Sequence, residues 1–258
     1  DRDAILAQLT SLGIAAEATP LSPHGIRVQG RPRIDSLPAW RDGAIEIQDE
    51  GAQLVALLCD AARAHCIVDY CAGAGGKTLA LAALAPEARL IACDSDAKRL
   101  GRLAPRLARA GITGVESHVI GVDDPLDEGL AERVLVDVPC SGTGAWRRNP
   151  DDRHRLTADA LAAYTACQDE ILSSAAPLVA PGGRLIYATC SLLPRENEDR
   201  VDAFLAAHDD FKRLDVRDVW RQGLAAPPPE EGPDLLLTPH RHGTDGFYVA
   251  VLERTAQT

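Results

Sequence analysis

The chain has 258 residues, of which 46% are apolar but only 4% aromatic, with seven cysteines, no methionine and a formal net charge of −11. That length suits one large α/β domain with a small appendage, its core built from Leu, Val, Ile and Ala. The acidic balance speaks against a generic nucleic-acid binder, whose domain is usually basic, and no run of roughly 18 apolar residues offers a membrane span. A soluble cytoplasmic protein is expected, with nothing calling for more than a monomer and, since even position 1 is not methionine, one lacking its natural start.

Residues 1–47 read as a short helix, Ala4 to Leu12, followed by Pro-, Gly- and Arg-rich irregular or hairpin structure. This is too little for an independent core, so it is expected to pack on the domain formed by 48–258. Gln48-Asp49-Glu50-Gly51 opens an amphipathic helix carrying Leu54, Val55, Leu57 and Leu58, with its acids suited to the N-terminus. Strands and helices then alternate: strand Ile67–Tyr70, helix Lys77–Leu84, strand Leu90–Cys93 ending in Asp94, helix Ala97–Ala110 stopped by Gly111, and a strand near Val115–Ile120. After an acidic link come strand Arg133–Val138 and a long helix, Thr157–Val179, closed by Pro181-Gly182-Gly183. Strand Leu185–Thr189 and helix Pro194–Ala207 follow. Strands near Phe211–Val216 and Phe247–Leu252 finish the sheet around a Pro-rich loop at 226–239.

Near-continuous apolar strands alternating with helices predict a doubly wound, mostly parallel sheet covered on both faces, a Rossmann-like α/β fold. In such sheets ligands sit beyond the carboxyl ends of the strands, near the reversal of strand order. That rule selects the turn after Tyr70, Asp94, the loop after Val138 and the loop after Thr189.

The turn Cys71-Ala72-Gly73-Ala74-Gly75-Gly76-Lys77-Thr78 imitates a phosphate loop without being one. A P-loop has a glycine five residues before its Gly-Lys, and here that position is Cys71. The spacing G-x-G-x-x-G fails too, because Thr78 stands where the third glycine belongs. What remains is a tight turn presenting N–H groups at a helix N-terminus, suited to a carboxylate. Asp94 is spaced as the acid that accepts from ribose hydroxyls, and Asp123 or Asp124 is placed to hold an adenine amino group. A glycine turn and a ribose acid without a pyrophosphate fingerprint suit a nucleoside ligand lacking phosphates, such as S-adenosylmethionine.

The cysteines are odd in number and form no C-x-x-C pair, which argues against a disulfide framework and against a zinc site. Cys140 and Cys190 nevertheless each lie just beyond a strand end, where a packing cysteine has no reason to be. If those two strands are neighbours, both thiols face one cleft. Cys59, Cys66, Cys93 and Cys167 read as small buried hydrophobes.

The stretches DYCAGAGGKT, DVPCSGTGAWRRNPD, ATCSLLPRENED and GTDGFYVAVLER resemble the RNA cytosine-5 methyltransferases of the Sun/Fmu/NSUN family, from about Gln48 to Arg254. Two departures stand out: Ala74 replaces a usual proline, and Arg195 a common acid. The resemblance implies a covalent mechanism. Cys190 is the nucleophile at carbon 6 of cytosine, Cys140 assists release, and Asp137 hydrogen-bonds the base near N3. S-adenosylmethionine is expected on residues 71–77, Asp94, Asp123 and Asp137, and the dipole of a helix beginning near Pro194 is expected to lower the Cys190 pKa. Arg147 and Arg148 are expected on RNA phosphates, residues 1–47 in RNA binding or packing, and further RNA affinity from an additional N-terminal segment or a partner. Glu196 and Glu198 read as acids opening a helix. Ribosomal RNA is the expected substrate, with tRNA as an alternative. A non-catalytic RNA-binding or ribosome-assembly factor would not need both cysteines. A small-molecule or protein methyltransferase would need neither the pair nor the Arg-rich loop.

Overall fold

A computed structural model describes residues 1–224, 226–229 and 232–256. Helix α1 (Arg2–Ser11) starts at Asp1, whose carboxylate accepts from the Asp3 amide, and leads to a hairpin of β1 (Ala16–Ala18) and β2 (Ile26–Val28). Short α2 (Pro38–Arg41) precedes α3 (Glu50–Leu58), which Asp49 caps by accepting from the Gly51 amide. The N-terminal segment contacts the rest of the chain at several points. Buried Glu50 accepts from the amides of Leu21 and Ser22, and the Arg109 guanidinium lies 3.8 Å from the Trp40 ring centre.

The main sheet holds β3 (Cys66–Asp69), β4 (Arg89–Asp94), β5 (Val115–Val119), β6 (Ala131–Asp137), β7 (Val179–Thr189), β8 (Phe211–Leu214), β9 (Leu235–Leu237) and β10 (Phe247–Arg254). Their order is β5-β4-β3-β6-β7-β10-β8, with β9 paired on β10. Strands β3 to β7 are parallel, while β10 runs antiparallel to β7 and β8. The strand order reverses between β3 and β6.

Alternation along the buried strands builds two cores. Ile67, Leu135, Ile186, Val249 and Val251 face α3, α4 (Gly76–Leu84) and α9 (Val216–Gly223). Val68, Val134, Val136, Leu185, Tyr187 and Tyr248 face α7 (Ala158–Ala175) and α8 (Glu198–Ala207). Each such side chain taken fully from water contributes about 1.5–3 kcal/mol, which holds these strands regardless of their modest length.

The elements depart from the expectations in several places. The predicted helix 97–110 breaks into α5 (Ala97–Leu100) and α6 (Leu103–Ala110), because Pro105 has no N–H to give the Gly101 carbonyl. The long helix ends at Ala175, before Pro177, and Pro181-Gly182-Gly183 lies inside β7 as an irregularity between the pairs Ala131↔Val179 and Arg133↔Arg184. The strand predicted to run to Val216 stops at Leu214, where Asp215 caps α9 by accepting from the Arg217 amide. The Pro-rich loop contains β9 and α10 (Pro239–His242), with residues 230 and 231 of that stretch outside the described residues.

Candidate active site

The β3–α4 turn is closed by backbone and by two acids. The Ala72 amide donates to the Cys93 carbonyl, and the Gly73 amide to Asp94 Oδ2 at 2.8 Å, while Asp94 Oδ1 accepts from the Asp96 amide. Gly75 is left-handed (φ +85°), and a Cβ there would stand 2.2 Å from Leu103 Cδ1, so the turn and α6 require glycine. Arg106 and Gln48 secure the carbonyls of Ala74 and Gly76. Beside the turn lies a cavity of about 180 Å³ lined by Gln48, Ala52, Asp69, Cys71, Ala72, Gly76, Lys77 and Asp137.

Asp69 is the acid that sequence reasoning passed over. It is buried, its Oδ2 accepts from Thr78 at 2.7 Å, and its Oδ1 has no partner. Burial raises its pKa to about 6, against the lowering effect of the Thr78 bond. Its only sequence signal was a charged residue ending an otherwise apolar strand. Asp123 is exposed and accepts from the Val119 amide at 2.6 Å; like Asp94, it is not among the residues lining this cavity.

Adjacent strands deliver the two cysteines. The amide of Val138 donates to the Ala188 carbonyl, so β6 and β7 end together, and the loops beyond them stay paired through Gly144 N–H to Cys190 O. Cys140 Sγ and Cys190 Sγ are 3.4 Å apart. Lys77 Nζ bonds Asp137 Oδ2 at 2.5 Å alongside. Burial pulls the Lys77 ammonium down, but the Asp137 charge and hydrogen bond outweigh it and leave its pKa raised.

The sulfurs are not equivalent. The hydrogen bond between the two sulfurs lowers the Cys190 pKa in spite of burial and the Asp137 charge; Lys77 lowers it further. Cys140 is pushed well up, first by that same hydrogen bond and then by burial. The expected helix dipole is not the cause. Pro194–Glu196 forms a single 3-10 turn, and α8 begins only at Glu198.

Glu196 is therefore no helix-opening acid. It is fully buried between the cysteine loops, accepting from the Ser141 amide, both serine hydroxyls of Ser141 and Ser191, and Gln168 Nε2. Arg147 and Arg148 are also committed. Arg147 Nε and Arg148 Nε each donate to buried Asp245 at 2.6 Å, and Arg147 reaches Asp49 at 3.1 Å. Their outer faces remain open to solvent, with side-chain exposures of 41% and 58%. Among the described residues no cluster of His, Cys, Asp and Glu is placed to hold a metal ion, and no helix is long and apolar enough to cross a membrane.

A sheet wound in this order, with an antiparallel strand between its last two parallel ones and a glycine turn at the reversal, defines a Rossmann-like methyltransferase fold. The chain belongs to the 16S rRNA methyltransferase RsmB/F family, whose family model matches residues 56–253. It is 37% identical to ribosomal RNA small subunit methyltransferase B of Pseudomonas syringae pv. tomato, over 99% of this chain and 57% of that protein. The Pseudomonas putida protein of the same name is 38% identical over 99% and 58%. Among solved structures PH0851 superposes with a TM-score of 0.89 at 32% identity, covering 98% of this chain and 57% of that one. The chain thus spans a little under three fifths of the length of these relatives.

Proposed function

We propose that the protein transfers a methyl group from S-adenosylmethionine to carbon 5 of a cytosine in small-subunit ribosomal RNA, through a covalent cysteine adduct. The observation that carries this reading is the 3.4 Å separation of Cys140 and Cys190 at the ends of adjacent strands. The residues present fit the cofactor. The α4 N-terminus suits its carboxylate, the unpaired Asp69 Oδ1 suits an ammonium donor, and Asp94 suits ribose hydroxyls. When bound, S-adenosylmethionine supplies an electrophilic sulfonium methyl.

Carbon 5 of cytosine is by itself too weak a nucleophile to take that methyl. The Cys190 thiolate forms a bond to carbon 6, and the electron pair of the 5,6 double bond becomes available at carbon 5. Asp137, held by Lys77, faces N3 and stabilises the charge that the ring takes up. Cys190 loses its negative charge on bonding, so the hydrogen bond that kept Cys140 protonated disappears with it. Cys140 then gives its own proton to solvent water, and the resulting thiolate removes the carbon 5 proton. The double bond re-forms, the Cys190–carbon 6 bond breaks, and its electron pair returns to sulfur. A base in this cleft has left its stack, so an unpaired or flipped cytosine is the substrate form.

The test is methyl transfer to small-subunit RNA from labelled S-adenosylmethionine, with bisulfite sequencing of the product. Cys190→Ala should abolish transfer while the cofactor Kd stays within about twofold. Cys140→Ala should accumulate an RNA adduct on a denaturing gel. Turnover retained in Cys190→Ala would remove it as nucleophile, and label away from cytosine carbon 5 would overturn the reading altogether.

A further inference from the structure

We infer that Glu196 is a positioning residue whose buried carboxylate clamps the Cys140 loop to the Cys190 loop and assigns the two sulfurs their different parts. The inference rests on the reading of Cys190 as nucleophile and Cys140 as its partner.

The residue following each cysteine is a serine, and both serines end on this one carboxylate. Ser141 gives it its amide at 2.8 Å and its hydroxyl, and Ser191 gives its hydroxyl at 2.5 Å. Gln168 of α7 adds a fourth donor at 3.1 Å while its Nε2 also reaches the Pro139 carbonyl at 3.0 Å, one residue before Cys140. The clamp is itself anchored. Tyr187 Oη donates to the Glu196 carbonyl at 2.6 Å, and the next residue, Asn197, bonds Thr189 and the Ser191 carbonyl. Breaking the helix at Asn197 is what frees Glu196 to turn inward.

All four donors to Glu196 are neutral groups. The carboxylate adds to the Cys190 bond and burial that raise the Cys140 pKa. Cys190 instead faces Lys77 and Asp137. The donor and the thiolate of the sulfur pair are thereby distinguished by what stands behind each. A clamp of this kind acts through its neighbours and touches no reacting atom.

The experiment compares the folded wild-type chain with Glu196→Gln and Glu196→Asp. Iodoacetamide labelling from pH 6 to 9, mapped by mass spectrometry, runs beside single-turnover methylation, cofactor titration and thermal melts. Wild type should label Cys190 before Cys140. Glu196→Gln should keep cofactor affinity within about twofold, lose most of the labelling preference and slow methylation about 10²-fold, as misplacement of reacting groups does. Glu196→Asp should restore part of the preference. If Glu196→Gln fails to fold, Ser141→Ala with Ser191→Ala removes the hydroxyl legs of the clamp and should shift labelling in the same direction. A wild-type preference and rate in a folded Glu196→Gln, or in the double serine variant, overturn the inference and leave the nucleophile assignment standing. First labelling of Cys140 in wild type overturns both.

Discussion

Asp69 sits where a charge is costly, at the end of a fully buried strand with one oxygen unpaired. Its folded pKa, about 6 against an ordinary 3.8, means that the folded state holds the proton more tightly than the unfolded one. The stability this contributes is present below the ordinary value and is lost as pH rises from about 4 through about 6. Asp69→Asn, neutral throughout, should therefore gain on wild type across that window, by on the order of 3 kcal/mol for a shift of this size. Urea melts at a series of pH values measure it, and a difference that does not change with pH would sink the argument. Asp94 works differently. Its carboxylate accepts from the amides of Gly73 and Asp96, one on each oxygen, so it shapes the turn. Asp94→Ala should weaken S-adenosylmethionine binding about tenfold or more by calorimetry, since two charge-assisted bonds are lost together.

The loop beyond β6 is held in place by a backbone-on-backbone contact. A Cβ on Gly144 would stand 2.3 Å from the Gly246 carbonyl oxygen and 2.6 Å from its Cα, and neither atom can swing aside as a side chain would. The same approach allows the Gly246 amide to donate to the Gly144 carbonyl, and Asp245 beside it gathers Arg147 and Arg148. Gly144→Ala should push these two loops apart and carry Cys140 away from Cys190. Methylation should fall while cofactor affinity, set at the β3–α4 turn, stays near wild type; equal loss of both would mean general unfolding instead.

For the whole molecule, the reversal of strand order between β3 and β6 gathers the turn after β3 and the loops after β6 and β7 at one end of the sheet. Residues 1–47 pack against α3 and α6, close to the β3–α4 turn that Arg106 also holds. Glu46 binds Arg106 and Arg109, and Glu50 Oε1 accepts from the amides of Leu21 and Ser22. Deleting 1–47 removes these bonds and the Trp40–Arg109 stacking, a loss of a few kcal/mol that should lower Tm by roughly 5 °C or more in a domain of this size. An unchanged melt would show the segment to be ornamental.

From the residues alone one reads the alternating strands, the glycine turn, Asp94 and the two cysteines past their strand ends, because burial periodicity and turn chemistry are local properties. The split of helix 97–110 was legible in Pro105, whose missing N–H is equally local. The placement of Glu196 was not. An acid ahead of a helix looks the same whether it faces water or two serines, and only the pairing of β6 with β7 brings Ser141 and Ser191 to one carboxylate. The pairing of Arg147 and Arg148 with Asp245, nearly a hundred residues away in the chain, is of the same kind. How the two thiols differ was also left to the tertiary structure, since that depends on a hydrogen bond across 50 residues of sequence and on the charges behind each.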